Sequence, residues 1–237
     1  MDIYMLYTPD EANVAKRRNF LSGTLSYIAQ GSSLFSAKLP PSHTCDVMVI
    51  SADEALPTVA PAIYDEARRR SCRRIFLDTA GFENENFHEL CASLLRRGLA
   101  VFSPYTAPCP HGVIPVVDVA VTGGHLSELL EKASRTFPEF AVSVSPMFCT
   151  TPLPAKSASF RPLSRREVYS ILNREESFAH FSPQMLCKYF LQNPDGDNVS
   201  LILFDDKETL SSKIRLAKKH GASHAFFVHS EISEDIF

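Results

Sequence analysis

Several features that would announce a function are missing from this sequence. No GxGxxG or GxxxxGK[ST] pattern follows any apolar run, so the phosphate loops that mark nucleotide sites in open α/β sheets are absent. No apolar run approaches the ~18 residues that span a membrane. The start, "MDIYMLYTPDE", has neither the basic beginning nor the long apolar stretch of a secretory leader. Positive charge is not in excess: 24 Lys and Arg stand against 27 Asp and Glu, for a net charge of −3. No nucleic-acid partner and no membrane association are therefore expected. The six cysteines (45, 72, 91, 109, 149 and 187) include no CxxC pair. A chain of this length needs no disulfide staple, so reduced thiols and a cytoplasmic setting are expected. HxH, HExxH and GxSxG are also lacking, and neither a metal nor a cofactor is expected.

What is present is a regular alternation. Short apolar runs lie at 3–7 (IYMLY), 45–50 (CDVMVI), 74–78 (RIFLD), 99–103 (LAVFS), 113–121 (VIPVVDVAV), 140–145 (FAVSVS), 200–204 (SLILF) and 224–228 (HAFFV). Between many of them the apolar spacing changes to about 3.6, the period of a helix. Phe87, Leu90, Cys91, Leu94 and Leu95 fall on one such face, with Gly98 as a stop. Ser164 and Glu167 have the spacing of a capping box, and Ser182-Pro183 reads as the start of a further helix. The arginines at 68–70 and 73–74 fall at a helix end, where cations complement the dipole.

Strands alternating with helices imply parallel pairing. Eight units closing on themselves predict an α/β fold of the (β/α)8 TIM-type barrel, one domain over residues 1–237, with one early unit shortened; an open doubly wound sheet is the alternative. The stretches at 31–43 and 146–162 read as irregular insertions, the second as a loop over the strand ends, where such barrels carry their sites.

One stretch then acquires meaning. "LFDDKETLSSKIRLAKKHGASHAFFVHSE" (203–231) resembles the last helix and closing strand of family 18 glycoside hydrolases, the chitinase-like barrels, through Asp205-Asp206, Leu210, Lys213, Ala217-Lys218 and Gly221. "GLAVFS" resembles the strand that follows the family's catalytic one. That catalytic strand carries Asp-x-Asp-x-Glu, whose spacing of two places all three acids on one side. In the family the Glu is the proton donor and the middle Asp orients the substrate's own acetamido group, a departure from the two-carboxylate scheme. Laid on "RIFLDTAGFE", the resemblance puts Phe76 at the first Asp, Asp78 at the middle Asp and Ala80 at the Glu. The proton donor is missing.

Replacement carboxylates are Glu83, on the loop beyond Asp78, Asp118 near the end of its strand, and Glu231 just past the last one. Asp78, Asp118, Glu231 and Tyr105 are the expected ligand-binding residues. Asp118, His111 and His229 form the only metal-ligand grouping worth weighing, and a weak one. The chain has no Trp, the residue on which sugar rings most often stack, but it has 7 Tyr and 17 Phe. The resemblance thus implies a degenerate barrel that has lost its acid, a non-hydrolytic binding or interaction protein whose expected ligand is a saccharide or small polar molecule. The alternative is an active hydrolase with relocated carboxylates.

Overall fold

The computed structural model describes residues 1–11, 20–40, 42–79, 85–105, 109–153, 160–174, 178–193 and 199–232. In chain order the first elements are β1 (Asp2–Tyr7), β2 (Leu21–Gly31), β3 (Ser33–Ser36), β4 (Val47–Ala55), α1 (Ala60–Arg69), β5 (Arg74–Asp78), α2 (Glu85–Arg96), β6 (Ala100–Pro104), β7 (Ile114–Asp118), α3 (Leu126–Thr136) and β8 (Ala141–Ser143). There follow β9 (Phe148–Pro152), β10 (Arg161–Pro162), α4 (Arg165–Arg174), β11 (His180–Ser182), β12 (Cys187–Gln192) and β13 (Ser200–Phe204). The chain ends on α5 (Lys207–Lys219) and β14 (His224–Val228).

β1, β2, β4, β5, β6, β7, β8 and β14 are mutually parallel, and β1 pairs with both β14 and β2. The barrel is therefore closed, as the alternation of strands and helices predicts. Its strands are apolar on both faces because both are covered. One set of side chains, including Tyr4, Leu6, Val47, Val49, Phe76, Phe102, Val116 and Phe226, fills the interior. The other set, including Met48, Ile50, Ile75 and Leu77 on one side and Val117, Val142 and Phe227 on the other, packs under the helices.

Seven of the eight predicted strands are barrel strands. The eighth, "SLILF", is instead β13, at the middle of a second, antiparallel sheet ordered β10-β9-β13-β12-β11. The missing barrel strand is β2, whose Gly and Ser residues and two register shifts disguise it. Gly23 of β2 is required by close approach: a Cβ there would lie 2.3 Å from Leu6 Cδ2 and 2.7 Å from Val47 Cγ1. The shortened unit is the one after β2. There β3 turns back antiparallel on β2 in place of a helix, so part of 31–43 is ordered strand and not an irregular insertion. Likewise 146–162 is not a plain loop, since it contributes β9 and β10 to the second sheet. Residues 183–186 form a turn between β11 and β12 and not a helix start; Leu186 adopts φ 51° there.

The other predicted helix ends hold. Gly98 follows α2 with φ 79°. At α4 the Ser164 amide and hydroxyl donate to Glu167 Oε2 at 2.6 and 2.7 Å. Asp206 caps α5, accepting from the Thr209 amide at 3.0 Å while its own amide donates to Thr209 Oγ1 at 2.9 Å. The arginine cluster does end a helix, and Arg70 is buried there, its Nε donating to Glu66 at 2.9 Å and its Nη1 to the Pro40 carbonyl at 2.7 Å. No helix among the described residues is long and apolar enough to cross a membrane.

The second sheet joins the barrel through a buried charge pair. Asp205, just past β13, accepts from Lys213 Nζ of α5 at 2.7 Å, from the Met147 amide at 2.9 Å and from Thr209 Oγ1 at 2.9 Å. Both side chains are fully buried. Removing one member of such a pair leaves the other charged and unpaired, which costs about 3–5 kcal/mol. Lys213→Met should therefore destabilise the protein by about that much in urea denaturation, and Asp205→Asn combined with Lys213→Met by less. A single-variant loss below ~1 kcal/mol would refute this account.

Candidate functional site

The site is set by the two-residue period of a strand. If Val47 and Val49 point inward, so do Ser51 and Asp53 on the same strand; Phe76 inward brings Asp78, Val116 brings Asp118, and Ala141 brings Ser143. Ser51, Asp53, Phe76, Asp78, Val116, Asp118 and Ser143, with Thr79 and Pro104, line one cavity of about 410 Å³ at the C-terminal ends of the barrel strands. Registers place Ser51 beside Asp78 and Ser143 beside Asp118.

The floor is aromatic. Phe76 faces the cavity and belongs to a ring cluster in which Phe226 lies 5.0 Å from Tyr4, 5.1 Å from Phe76 and 5.1 Å from Phe102 between centroids. This plug blocks the barrel axis, so a ligand can enter only from the mouth. Above it stand three carboxylates, and among the described residues no Lys, Arg or His is in the cavity lining. Burial, and then the negative charge of Asp53, raise the Asp78 pKa above the usual carboxylate range. Asp118 Oδ1 accepts from the Ala120 amide at 2.8 Å, which fixes its orientation.

Of the residues expected from sequence, Asp78 and Asp118 come together. Glu231 is exposed in a short helical turn after β14 and is not part of the cavity wall. Tyr105 packs edge-on against Phe137, centroids 5.6 Å apart, also away from the wall. Glu83 and Ala80 lie outside the described residues. None of the described residues of 146–162 lines the cavity. The weak metal grouping is not assembled: His229 Nδ1 is 2.8 Å from Glu11, and His111 precedes β7, at the opposite end of that strand from Asp118. Among the described residues no three His, Cys, Asp or Glu side chains group so as to hold a metal ion. Asp53 is hidden in the sequence because the apolar run stops at Ile50. Continuing the alternation from Val47 and Val49 through Ser51 reaches it.

No protein-family model matches the sequence, and no curated protein does. Solved structures do match. A chitinase from Chromobacterium violaceum superposes with a TM-score of 0.69 at 9% identity, over 100% of this chain and 96% of that one. The spore cortex-lytic enzyme SleL of Bacillus cereus gives 0.67 at 12%, over 95% and 70%. A family GH18 chitinase from Cycas revoluta, in complex with (GlcNAc)3, gives 0.63 at 13%, over 96% and 94%. The chain has the fold of the family 18 chitinase-like barrels.

The Asp53–Asp78 repulsion can be measured. Because folding raises the Asp78 pKa, its ionisation opposes folding; this contribution favours the folded state at low pH and fades as pH rises through the folded pKa. Asp53→Asn removes the neighbouring charge, so the Asp78 carboxyl titration followed by NMR should move down toward the ordinary value of about 3.9. An unmoved midpoint would show that the two carboxyls do not interact.

Proposed function

We propose that this barrel binds a saccharide at the strand C-termini without hydrolysing it, in the cytoplasm. The observation that carries the reading is the pairing of an intact middle acid with a missing proton donor. Asp78 faces the cavity from the strand that resembles the family's catalytic one, and the residue two further on is alanine. Asp78 can accept a hydrogen bond from an acetamido N–H or a ring hydroxyl, with Ser51, Asp118 and Ser143 as further polar partners around the mouth. Phe76 offers an apolar face in a protein without Trp. The cytoplasmic setting is supported by six free cysteines, five of them buried.

A second reading, hydrolysis by relocated carboxylates, is favoured by one observation. Asp53 and Asp78 are close enough for the charge of Asp53 to raise the Asp78 pKa, and upward is the direction in which a general acid is tuned.

Two assays on the purified protein separate these readings. Calorimetric titration with chitooligosaccharides should show binding that weakens about tenfold or more in Asp78→Ala, the usual worth of a hydrogen bond to a charged group. Hydrolysis of an aryl chitobioside should not exceed the buffer blank, since loss of a positioned general acid forfeits roughly 10²–10⁴ in rate. Turnover that disappears in Asp53→Asn, Asp78→Asn or Asp118→Asn would establish the hydrolase instead. Absence of any saccharide binding would overturn both.

A further inference from the structure

The acidic cavity does not end at Asp78. A second cavity of about 600 Å³ shares Ser51 and Asp78 with it and is walled chiefly by Leu25, Val49, Ile28 and Phe35. The local geometry of β2 explains how this wall arises. The register against β4 shifts between Leu25 and Tyr27, and again between Ile28 and Gln30. Each irregularity bends the strand and resets which side chains face inward. Tyr27 and Ala29 consequently go into the core under the helices, while Ile28 sits beside Ser51 on the mouth side. Phe35 of β3 is directly opposite Ile28 across the hairpin.

These two side chains are 57% and 54% exposed. A single exposed apolar residue needs no explanation. A cross-strand pair of them, on a concave wall continuous with a polar pocket, is the composition of a ligand site. The groove also offers little to a second sugar ring. One of its few hydroxyls, Ser26 Oγ, is already paired with Thr24 Oγ1 at 2.6 Å, and ring hydroxyls placed against Ile28 and Phe35 would lose their water without gaining partners.

We propose that the composite site takes an amphiphilic glycoside, its saccharide head among Asp53, Asp78 and Asp118 and its apolar aglycone along the Ile28–Phe35 face of the hairpin. This rests on the saccharide reading above and adds the class of aglycone. The common wall residues Ser51 and Asp78 would stand at the junction, where the polar head meets the apolar tail.

The test is calorimetric titration of the full chain with the methyl and octyl β-glycosides of N-acetylglucosamine, below micelle-forming concentrations. An octyl tri(ethylene glycol) ether serves as a chain without a sugar. Full burial of one CH₂ is worth about fourfold in affinity, so the octyl glycoside should bind at least ~10-fold tighter than the methyl one even when only part of its chain is covered. The pair Ile28→Ser and Phe35→Ser should abolish that chain-length dependence. Both side chains are largely outside the core, so the variant should fold, and circular dichroism is the check on that. Equal affinity for the two glycosides would overturn the inference and leave saccharide binding standing. Ether binding as tight as that of the octyl glycoside would overturn the saccharide head on which the inference rests. No binding by any of the three would overturn both.

Discussion

Closure of the barrel through β1 is the constraint on which the other features depend. β1 is only six residues long and must hydrogen-bond β14 along one edge and β2 along the other. Once the ring is closed, every second side chain of each strand has to fit into the same narrow interior. Large rings from β1, β5, β6 and β14 fill its middle. At Gly23 no side chain fits, because Leu6 and Val47 already occupy the space. The polar members of the alternation are left at the rim, where water can reach them.

The aromatic plug also shapes the chemistry above it. Rings have no charge and few hydrogen-bond donors, so a carboxylate placed over them is stabilised less than it would be in water. Burial is accordingly the leading cause of the raised Asp78 pKa, and the second carboxylate adds to it. The described wall carries carboxylates and no cation, a lining that suits neutral polyols better than anions. The apolar continuation under the hairpin then makes the site two-sided.

Much of this was legible in the sequence, and the misses have identifiable causes. The strand ending at Asp78 is clear as a short apolar run bounded by a polar residue; the run through Asp118 continues to Val121 in the sequence, and the strand stops at Asp118. β2 is not clear, because "LSGTLSYIAQG" mixes Gly and Ser into the pattern and its bulges reverse the alternation partway along. "SLILF" took its place because a buried apolar run looks the same in a parallel barrel and in the middle of an antiparallel sheet. Asp53 was hidden by the drop in hydrophobicity after Ile50, although the inward phase continues past it. Glu231 lies just past β14 and Tyr105 just past β6, but the direction of a side chain beyond a strand cannot be obtained by counting.

The base of the second sheet has a consequence of its own. The Asp205 amide donates to the Met147 carbonyl at 2.8 Å, and the Met147 amide donates back to the Asp205 carboxylate at 2.9 Å. The polypeptide therefore leaves the barrel and re-enters it at one spot, fastened by a reciprocal clasp. Whatever lies beyond that clasp is, to the barrel, a closed loop, and the entropy of closing a loop grows only logarithmically with its length, by roughly 0.6 kcal/mol per doubling. Changes in the length of the sheet from β9 to β13 thus carry little loop-closure penalty for the eight-stranded frame, provided that the Met147–Asp205 junction persists together with the Leu126–Gln184 hydrogen bond and the Lys188–Asp206 pair that also seat the sheet.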